Sequence, residues 1–158
     1  MSDPSTSIGL ISDTHGLLRD EAIEALRGSE LIIHAGDVGK PEILTALHQL
    51  APVVAVKGNI DTGAWASDLP MTAIVEAGPA TIYVLHNLDD LDVGPTAAGF
   101  QIIVSGHSHK RSRTERSGVL YINPGSAGPR RFRLPVTVAR LDLRTTPWHL
   151  TFSHLLRA

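Results

Sequence analysis

Residues that could bind a metal ion recur between positions 13 and 109, and each comes soon after a short apolar run. Their side chains offer carboxylate oxygens, imidazole nitrogens and one amide oxygen, a mixture that suits manganese, iron, nickel or zinc. Calcium fits poorly because it prefers a shell made entirely of oxygen. The seven candidates are Asp13, His15, Asp37, Asn59, His86, His107 and His109.

The apolar runs favour buried strands, and helical patterns separate the early ones. Residues 8–11, 31–33 and 53–56 are apolar and rich in β-formers, with amphipathic segments over residues 19–28 and 41–50 between them. In open α/β sheets, ligands bind outside the carboxyl ends of parallel strands. We therefore expect the candidates to meet in one crevice. Seven ligands suit two metal ions that share a carboxylate better than one ion, and Asp37 is the natural bridge.

The remaining histidines are assigned structural roles, because a single histidine is most often a surface or hydrogen-bonded residue. His48 lies in a predicted helix, and His149 and His154 lie in a predicted pair of terminal strands. His34 comes just before Asp37 in the stretch LIIHAGD, so we expect it to hydrogen-bond within the ligand loops rather than to bind metal.

The second half of the chain is richer in strands than the first. Residues 71–86 indicate an antiparallel hairpin, and residues 135–143 and 147–155 alternate with period two. The whole pattern predicts an α/β protein with a mostly parallel first sheet and an antiparallel-leaning second sheet under flanking helices. The sharp turns that precede candidate ligands are predicted at Gly36, Gly58 and Gly106.

The composition is that of an ordinary globular protein and narrows the chemistry. The chain has 158 residues, a net charge of −2 and no cysteine, which excludes disulfides, thiol catalysis and cysteine-rich zinc sites. We expect one domain over residues 1–158. The start lacks the basic and apolar regions of a signal peptide, and no apolar run approaches the roughly 20 residues that span a bilayer. We therefore expect a cytoplasmic protein that does not enter a membrane.

The candidates form a series of short motifs that resembles the calcineurin-like metallophosphoesterases. The length, the GNID stretch and the NPGS stretch are similar to the small YfcE-type phosphodiesterases within that superfamily. The resemblance spans residues 8 to 128 and implies a four-layer sandwich, in which two mixed β-sheets are flanked by helices. The motifs, in chain order, are Asp13-x-His15, Gly36-Asp37, Gly58-Asn59, His86 and Gly106-His107-Ser108-His109.

The resemblance also implies an activity and a division of the ligands. It implies a phosphodiesterase that hydrolyses P–O bonds of a small phosphoester with water activated by two divalent ions, manganese first, with nickel, iron or zinc as alternatives. Asp37, Asn59 and His86 would contribute to catalysis. One ion would be held by Asp13, His15, Asp37 and His109, and the other by Asp37, Asn59, His86 and His107.

Two positions depart from the pattern of the larger family members. Ile60 and Asp61 follow Asn59 where those members carry a histidine credited with protonating the leaving group, so the general acid stays unassigned. Asn87 follows His86 where relatives usually carry glycine. Asparagine tolerates left-handed backbone better than most residues, so we expect the turn to be preserved.

Residues 110–133 are strongly basic, with Glu115 as their one acidic residue. This pattern is equally typical of a solvated surface, a subunit contact in a homo-oligomer and a binding site for substrate phosphate. Nucleic acid is the less favoured partner, because the chain has few aromatic residues and a negative net charge. The basic residues are Lys110, Arg111, Arg113, Arg116, Arg130, Arg131 and Arg133.

A rival hypothesis is a non-catalytic protein-interaction scaffold of the same fold. A eukaryotic retromer relative has this role and an eroded metal set, whereas this chain keeps all seven candidate ligands. The complete set favours the enzyme.

Overall fold

The computed structural model describes residues 6–156. Strands and helices alternate in the first part of the chain, and strands dominate the rest. In chain order the elements are β1 (Ser7–Ile11), α1 (Asp20–Leu26), β2 (Leu31–His34), α2 (Pro41–His48), β3 (Val53–Ala55), β4 (Thr72–Ala77), β5 (Ala80–Leu85), α3 (Pro95–Ala98), β6 (Ile102–Val104), β7 (Ser112–Arg116), β8 (Val119–Asn123), β9 (Thr137–Asp142) and β10 (His149–His154), with 3-10 turns at Ala64–Ala66 and Leu88–Asp90.

The strands form two five-stranded mixed sheets, as predicted, in the orders β10-β9-β1-β2-β3 and β4-β5-β6-β8-β7. The expectation of a mostly parallel first sheet and an antiparallel-leaning second sheet is wrong. Each sheet has two parallel and two antiparallel pairings. The difference arises because β9 and β10 return to the first sheet and pair antiparallel beside β1.

The two sheets pack face to face, and α1 and α2 cover the outer face of the first. Leu10 of β1 and Ile82 of β5 belong to the apolar layer between the sheets. Because strand side chains alternate, Ile11 points to the opposite face, where it lies in one cluster with Leu26 of α1 and Leu47 of α2. Pro41 opens α2 at a position where its missing N–H costs little.

The outer face of the second sheet is covered by residues 87–100, which contain a 3-10 turn and the four-residue α3. Phe100 stacks on Tyr83 of β5 with 4.8 Å between ring centroids. Leu88 and Leu91 pack against the same cluster. The fourth layer is therefore mostly loop.

The carboxyl ends of β1, β2 and β3 lie at one edge of the first sheet, and those of β5 and β6 lie at one edge of the second. All seven candidate ligands follow one of these strand ends. Nothing in residues 6–156 forms a helix long and apolar enough to cross a bilayer.

Replacing Leu10 with alanine tests the packing between the sheets. Leu10 is fully buried, so Leu10→Ala should lower the free energy of unfolding by about 2–5 kcal/mol in urea denaturation. Ile74, which is 62% exposed on β4, provides the control, since Ile74→Ala should change it by less than about 0.5 kcal/mol. Equal effects would contradict this description of the core.

Candidate metal centre

Backbone hydrogen bonds tie the candidate loops to one another. Within the first sheet, the Asp13 N–H donates to the Gly36 carbonyl over 3.0 Å and the His15 N–H donates to the Asp37 carbonyl over 2.9 Å. In the second sheet, the Gly106 N–H donates to the His86 carbonyl over 2.9 Å. Loops that are far apart in sequence are thereby fixed side by side.

Five candidate ligands have left-handed backbone. Such values are uncommon outside glycine and cost about 1–3 kcal/mol each, and they persist where the surrounding structure enforces them, often at functional sites. The strain falls on the residues that must turn their side chains back toward the crevice. The φ angles are 56° at Asp13, 48° at His15, 55° at Asp37, 71° at His107 and 64° at His109.

The GHSH loop sends its two histidines in different directions. The His109 ring lies beside the His15 ring, with 5.2 Å between centroids, whereas the His107 ring lies 5.2 Å from the His86 ring in an edge-on arrangement. Ser108 separates them and is exposed. The two histidines therefore face different parts of the cluster.

The carboxylates of Asp13 and Asp37 lie at the centre of the cluster. Asp13 Oδ1 is 3.8 Å from His15 Nε2, 3.9 Å from His86 Nε2 and 3.5 Å from His109 Nε2. Asp37 Oδ2 is 3.5 Å from His15 Nε2 and 3.3 Å from His86 Nε2. One oxygen of each aspartate thus lies among the histidine nitrogens.

The other oxygen of each aspartate is held by hydrogen bonds. Asp13 Oδ2 accepts from the Ser12 hydroxyl at 2.8 Å and from the His107 N–H at 3.1 Å. Asp37 Oδ1 accepts from the Ile60 N–H at 3.1 Å. These bonds fix both carboxylates with the opposite oxygen directed into the cluster.

Two groups of donor atoms, each with its atoms within 4.8 Å of one another, could hold a metal ion. One group contains Asp13, His15 and His109, and the other contains Asp13, Asp37 and His86. Asp13 belongs to both, although the sequence favoured Asp37 as the shared ligand. Asp37 also lies near a histidine of each group, so both aspartates lie between the two groups.

Asn59 and His107 are exposed and lie at the open side of the cluster. Asn59 and His86 line the same cavity, which has a volume of about 340 Å³. The exposed Asn59 and His107 both belong to the predicted second ligand set, which is therefore the more accessible one.

Several donor atoms of the cluster are buried and lack a hydrogen-bond partner among residues 6–156. Asp13 Oδ1, His15 Nε2 and His86 Nε2 are buried and make no hydrogen bond with residues 6–156. The Nδ1 atom of His86 lies 2.8 Å from the Ala35 carbonyl, so the proton belongs on Nδ1 and the Nε2 lone pair faces the cluster. Buried polar groups without partners are costly, and a bound divalent ion would satisfy them.

The pKa values of Asp13 and Asp37 shift in opposite directions. Burial favours the neutral form of Asp37, but contact with the His86 ring and the Ile60 N–H outweighs it and lowers the pKa of Asp37 to about 2. Burial raises the pKa of Asp13, against the opposing effect of the Ser12 hydroxyl. Asp37 is thus the more firmly ionised of the two.

The pKa values of His86 and His109 shift in opposite directions. Burial disfavours the charged form of His86, yet its contacts with Asp37 and the Ala35 carbonyl raise its pKa above the usual value. Burial lowers the pKa of His109, and the positive charge of Arg131 contributes to the lowering.

Several supporting residues were missed in the sequence, foremost Asp61. Its buried carboxylate accepts the N–H groups of Val38 at 3.1 Å, Gly39 at 2.9 Å and Gly58 at 2.9 Å. Asp61 therefore joins the loop after β2, which carries Asp37, to the loop after β3. The signal in the sequence is an acid three residues after Gly58, but two of its three partners are backbone N–H groups in the distant loop after β2.

The NPGS stretch, residues 123–126, is hydrogen-bonded to the GHSH loop, residues 106–109. Asn123 Nδ2 donates to the Gly106 carbonyl at 3.0 Å and to the Ser108 hydroxyl at 3.1 Å, and the Ser126 hydroxyl donates to the Asp13 carbonyl at 3.0 Å. The stretch thus connects the two sheets at the candidate metal centre.

Two predicted glycines are required for space rather than for an unusual turn. A Cβ atom at Gly106 would collide with the Ser12 hydroxyl, and one at Gly58 would collide with the backbone of Asp37. Neither glycine has a positive φ angle, unlike Gly36. The expectation of a glycine-specific turn is therefore correct for Gly36 alone among these three.

Asn87 does not preserve a left-handed turn, contrary to the expectation. Its φ angle is −113°, and its side chain accepts the Asp89 N–H to cap the 3-10 turn that follows. The residue directly after His86 therefore has extended backbone.

The histidines assigned structural roles lie outside the cluster. His34 is fully buried, with Nε2 3.0 Å from the Thr14 hydroxyl and Nδ1 accepting the Gly36 N–H at 3.1 Å. It supports the ligand loops, as expected. His48, His149 and His154 are exposed.

The model of the calcineurin-like phosphoesterase superfamily domain matches residues 7–146. The chain belongs to this superfamily. It is 33% identical over 148 residues to a probable metallophosphoesterase from Methanothermobacter thermautotrophicus, covering 85% of this chain and 86% of the relative. It is 29% identical over 136 residues to a phosphodiesterase from Methanocaldococcus jannaschii, covering 75% of this chain and 82% of the relative. The resemblance seen in the sequence is confirmed.

Solved structures share the fold. A structure described as a novel archaeal phosphodiesterase has a TM-score of 0.77 and 25% identity, covering 93% of this chain and 99% of that one. Vacuolar protein sorting 29 from Cryptosporidium parvum has a TM-score of 0.73 and 21% identity, covering 96% and 98%. YfcE, a phosphoesterase from E. coli, has a TM-score of 0.68 and 22% identity, covering 86% and 88%.

Replacing Asp61 with asparagine tests its role in joining the ligand loops. The amide has one acceptor oxygen and places an NH₂ group against backbone donors, so Asp61→Asn should weaken manganese binding by about 10- to 100-fold in isothermal titration calorimetry. Exposed Asp68 supplies the matched control, and Asp68→Asn should bind as the unaltered protein does. Unchanged manganese affinity in Asp61→Asn would contradict the role.

The pKa of His34 predicts a pH dependence of stability. Burial lowers this pKa to about 4 from its usual 6.5, so the unfolded chain takes up the proton first as pH falls. The stability that the neutral His34 ring contributes is fully present above pH 6.5 and is lost as the pH falls from 6.5 to about 4. In urea denaturation with chelator, the loss between pH 7.5 and 4.5 should be about 2 kcal/mol smaller in His34→Asn than in the unaltered protein. His48→Asn should keep the full loss, and an equal loss in all three would refute this account.

Proposed function

We propose that the protein is a metal-dependent phosphoesterase, most specifically a phosphodiesterase, that uses two divalent metal ions to hydrolyse P–O bonds. The observation that carries this proposal is the pair of overlapping donor groups centred on Asp13 and Asp37. The relatives named metallophosphoesterase and phosphodiesterase support the same reaction class. When bound, such ions supply a nucleophile from water at neutral pH and neutralise charge that develops on the phosphate.

We assign the seven candidates to the ion sites as the resemblance implies, with Asp13 as an additional bridge. The low pKa of Asp37 keeps its carboxylate ionised throughout the neutral range, as a ligand shared by two cations requires. His86 presents its Nε2 atom because the Ala35 carbonyl holds the other nitrogen. We infer manganese as the first candidate metal, since the carboxylate and amide oxygens suit it, and nickel, iron or zinc as alternatives that suit the imidazole nitrogens.

Catalytic contributions are assigned to Asp37, Asn59 and His86. Asn59 and His86 line the cavity beside the cluster, which is open to a small phosphoester. His107, exposed at the same side, could also contact a substrate oxygen. The GNID stretch provides no histidine after Asn59, and the exposed Ile60 that stands there cannot transfer a proton.

Turnover of a generic aryl phosphodiester tests the reaction class. With manganese, the purified protein should hydrolyse bis(p-nitrophenyl) phosphate, and a chelator should remove the activity. Asp37→Asn should reduce activity to background and lose bound metal, because the shared carboxylate becomes a neutral amide. His48→Ala should keep both properties. A folded protein without metal-dependent turnover would leave the scaffold hypothesis in its place.

A further inference from the structure

Phe132 lies at the tip of an exposed turn near the candidate metal centre. Its side chain is 93% exposed, although phenylalanine is usually buried. The Leu134 N–H donates to the Arg131 carbonyl at 3.1 Å and closes the turn, and Phe132 has a left-handed φ angle of 54°. The chain therefore holds an apolar ring in water on strained backbone, with an arginine on each side.

A cavity connects Phe132 to the GHSH loop. It has a volume of about 900 Å³ and is lined by Ser108, Lys110, Phe132, Arg133 and Leu134. Ser108 lies between His107 and His109, so the cavity opens beside the candidate metal centre. A phosphodiester bound at that centre could extend one of its two arms into this space.

The charge around the cavity is positive and uncompensated. Within residues 6–156, the arginines that form ion pairs are Arg27 and Arg144, neither of which belongs to the basic segment. Arg111 and Arg116 in that segment lie over aromatic rings, at 5.7 Å from Phe152 and 5.1 Å from Tyr121. Lys110 and Arg133 line the Phe132 cavity, and Arg131 precedes Phe132 in the chain.

These groups match a particular ligand chemistry. An exposed aromatic face stacks on nucleobases without requiring a particular base, and nearby cationic side chains hold the phosphates of the strand. A simple alkyl phosphoester offers no planar face to stack on the ring. A nucleotide uses both, because it carries a planar base and a phosphate within one short unit.

We propose that the Phe132 cavity is a nucleotide subsite and that the phosphodiesters cleaved by this protein are those of short single-stranded oligonucleotides. The base stacks on Phe132, and Lys110, Arg131 and Arg133 contact the phosphate next to the one at the metal centre. This proposal rests on the proposed function. It also reverses the expectation drawn from net charge and aromatic content, because those averages do not show that one aromatic ring and several cations are concentrated at one place.

The first test compares two substrates with the same scissile bond and leaving group. They are thymidine 5′-(p-nitrophenyl phosphate) and methyl p-nitrophenyl phosphate, assayed with manganese. The ratio of their kcat/KM values should favour the nucleoside ester by roughly 5- to 100-fold, the range that base stacking on an aromatic ring supports. Phe132→Ala and Phe132→Leu should bring the ratio close to one, whereas Phe132→Trp and the distant control His48→Ala should keep it.

A ratio near one in the unaltered protein, with metal-dependent turnover of both esters, would overturn the subsite and leave the proposed function intact. If neither ester is hydrolysed, the proposed function fails, and binding decides the subsite separately. Fluorescence anisotropy of labelled tetrathymidylate in chelator should then show binding that weakens with salt and falls at least about 5-fold in Phe132→Ala and in Arg133→Gln. No binding there overturns the subsite. A dimer in sedimentation that Phe132→Ala dissociates would also overturn it, because Phe132 would then be covered by a second copy.

Discussion

The buried carboxylate of Asp13 holds the candidate metal centre together. It accepts the Ser12 hydroxyl from its own sheet and the His107 N–H from the other. The backbone of the same residue bonds to Gly36 and to Ser126. A carboxylate removed from water must be compensated by hydrogen bonds or positive charge. Here hydrogen bonds satisfy one oxygen, and the free Oδ1 atom is left for a cation among the histidines.

The contact between the two sheets at Asp13 also restricts which residues the neighbouring loops can carry. Gly106 must lack a side chain because the Ser12 hydroxyl occupies the space of its Cβ atom. Both histidines of the GHSH loop have left-handed backbone, and Asn123 holds this loop through hydrogen bonds to the Gly106 carbonyl and the Ser108 hydroxyl. Strain of this kind is maintained by packing elsewhere, and the apolar layer between the sheets supplies that packing.

Local pattern was sufficient to predict α1 and α2, most strands and the convergence of the candidate ligands. Helix α2 begins at Pro41, and the hairpin of β4 and β5 follows its alternating pattern. Partner choice could not be predicted, because β9 and β10 pair with β1 through contacts that span most of the chain. Strand β7 was missed because all five of its residues are exposed and it lies at a sheet edge, which leaves no apolar alternation to detect. Asp61 was missed for a related reason, since its partners are backbone N–H groups that any sequence supplies.

The cluster is buried on one side and exposed on the other. Asp13 and His109 are buried, whereas Asn59 and His107 are exposed. Donor atoms on the buried side are enclosed by the protein, so the cluster is open to solvent on the side of Asn59 and His107. One cavity on that side is lined by Asn59, by Lys57 and by two acids, Asp90 and Asp92, so acids are in excess there, and another is lined by Lys110 and Arg133. A phosphodiester has two arms around one phosphorus atom, and cavities of opposite charge beside one centre favour one orientation of an asymmetric substrate. Under the proposed function, the charge of the surrounding loops would then decide which arm leaves.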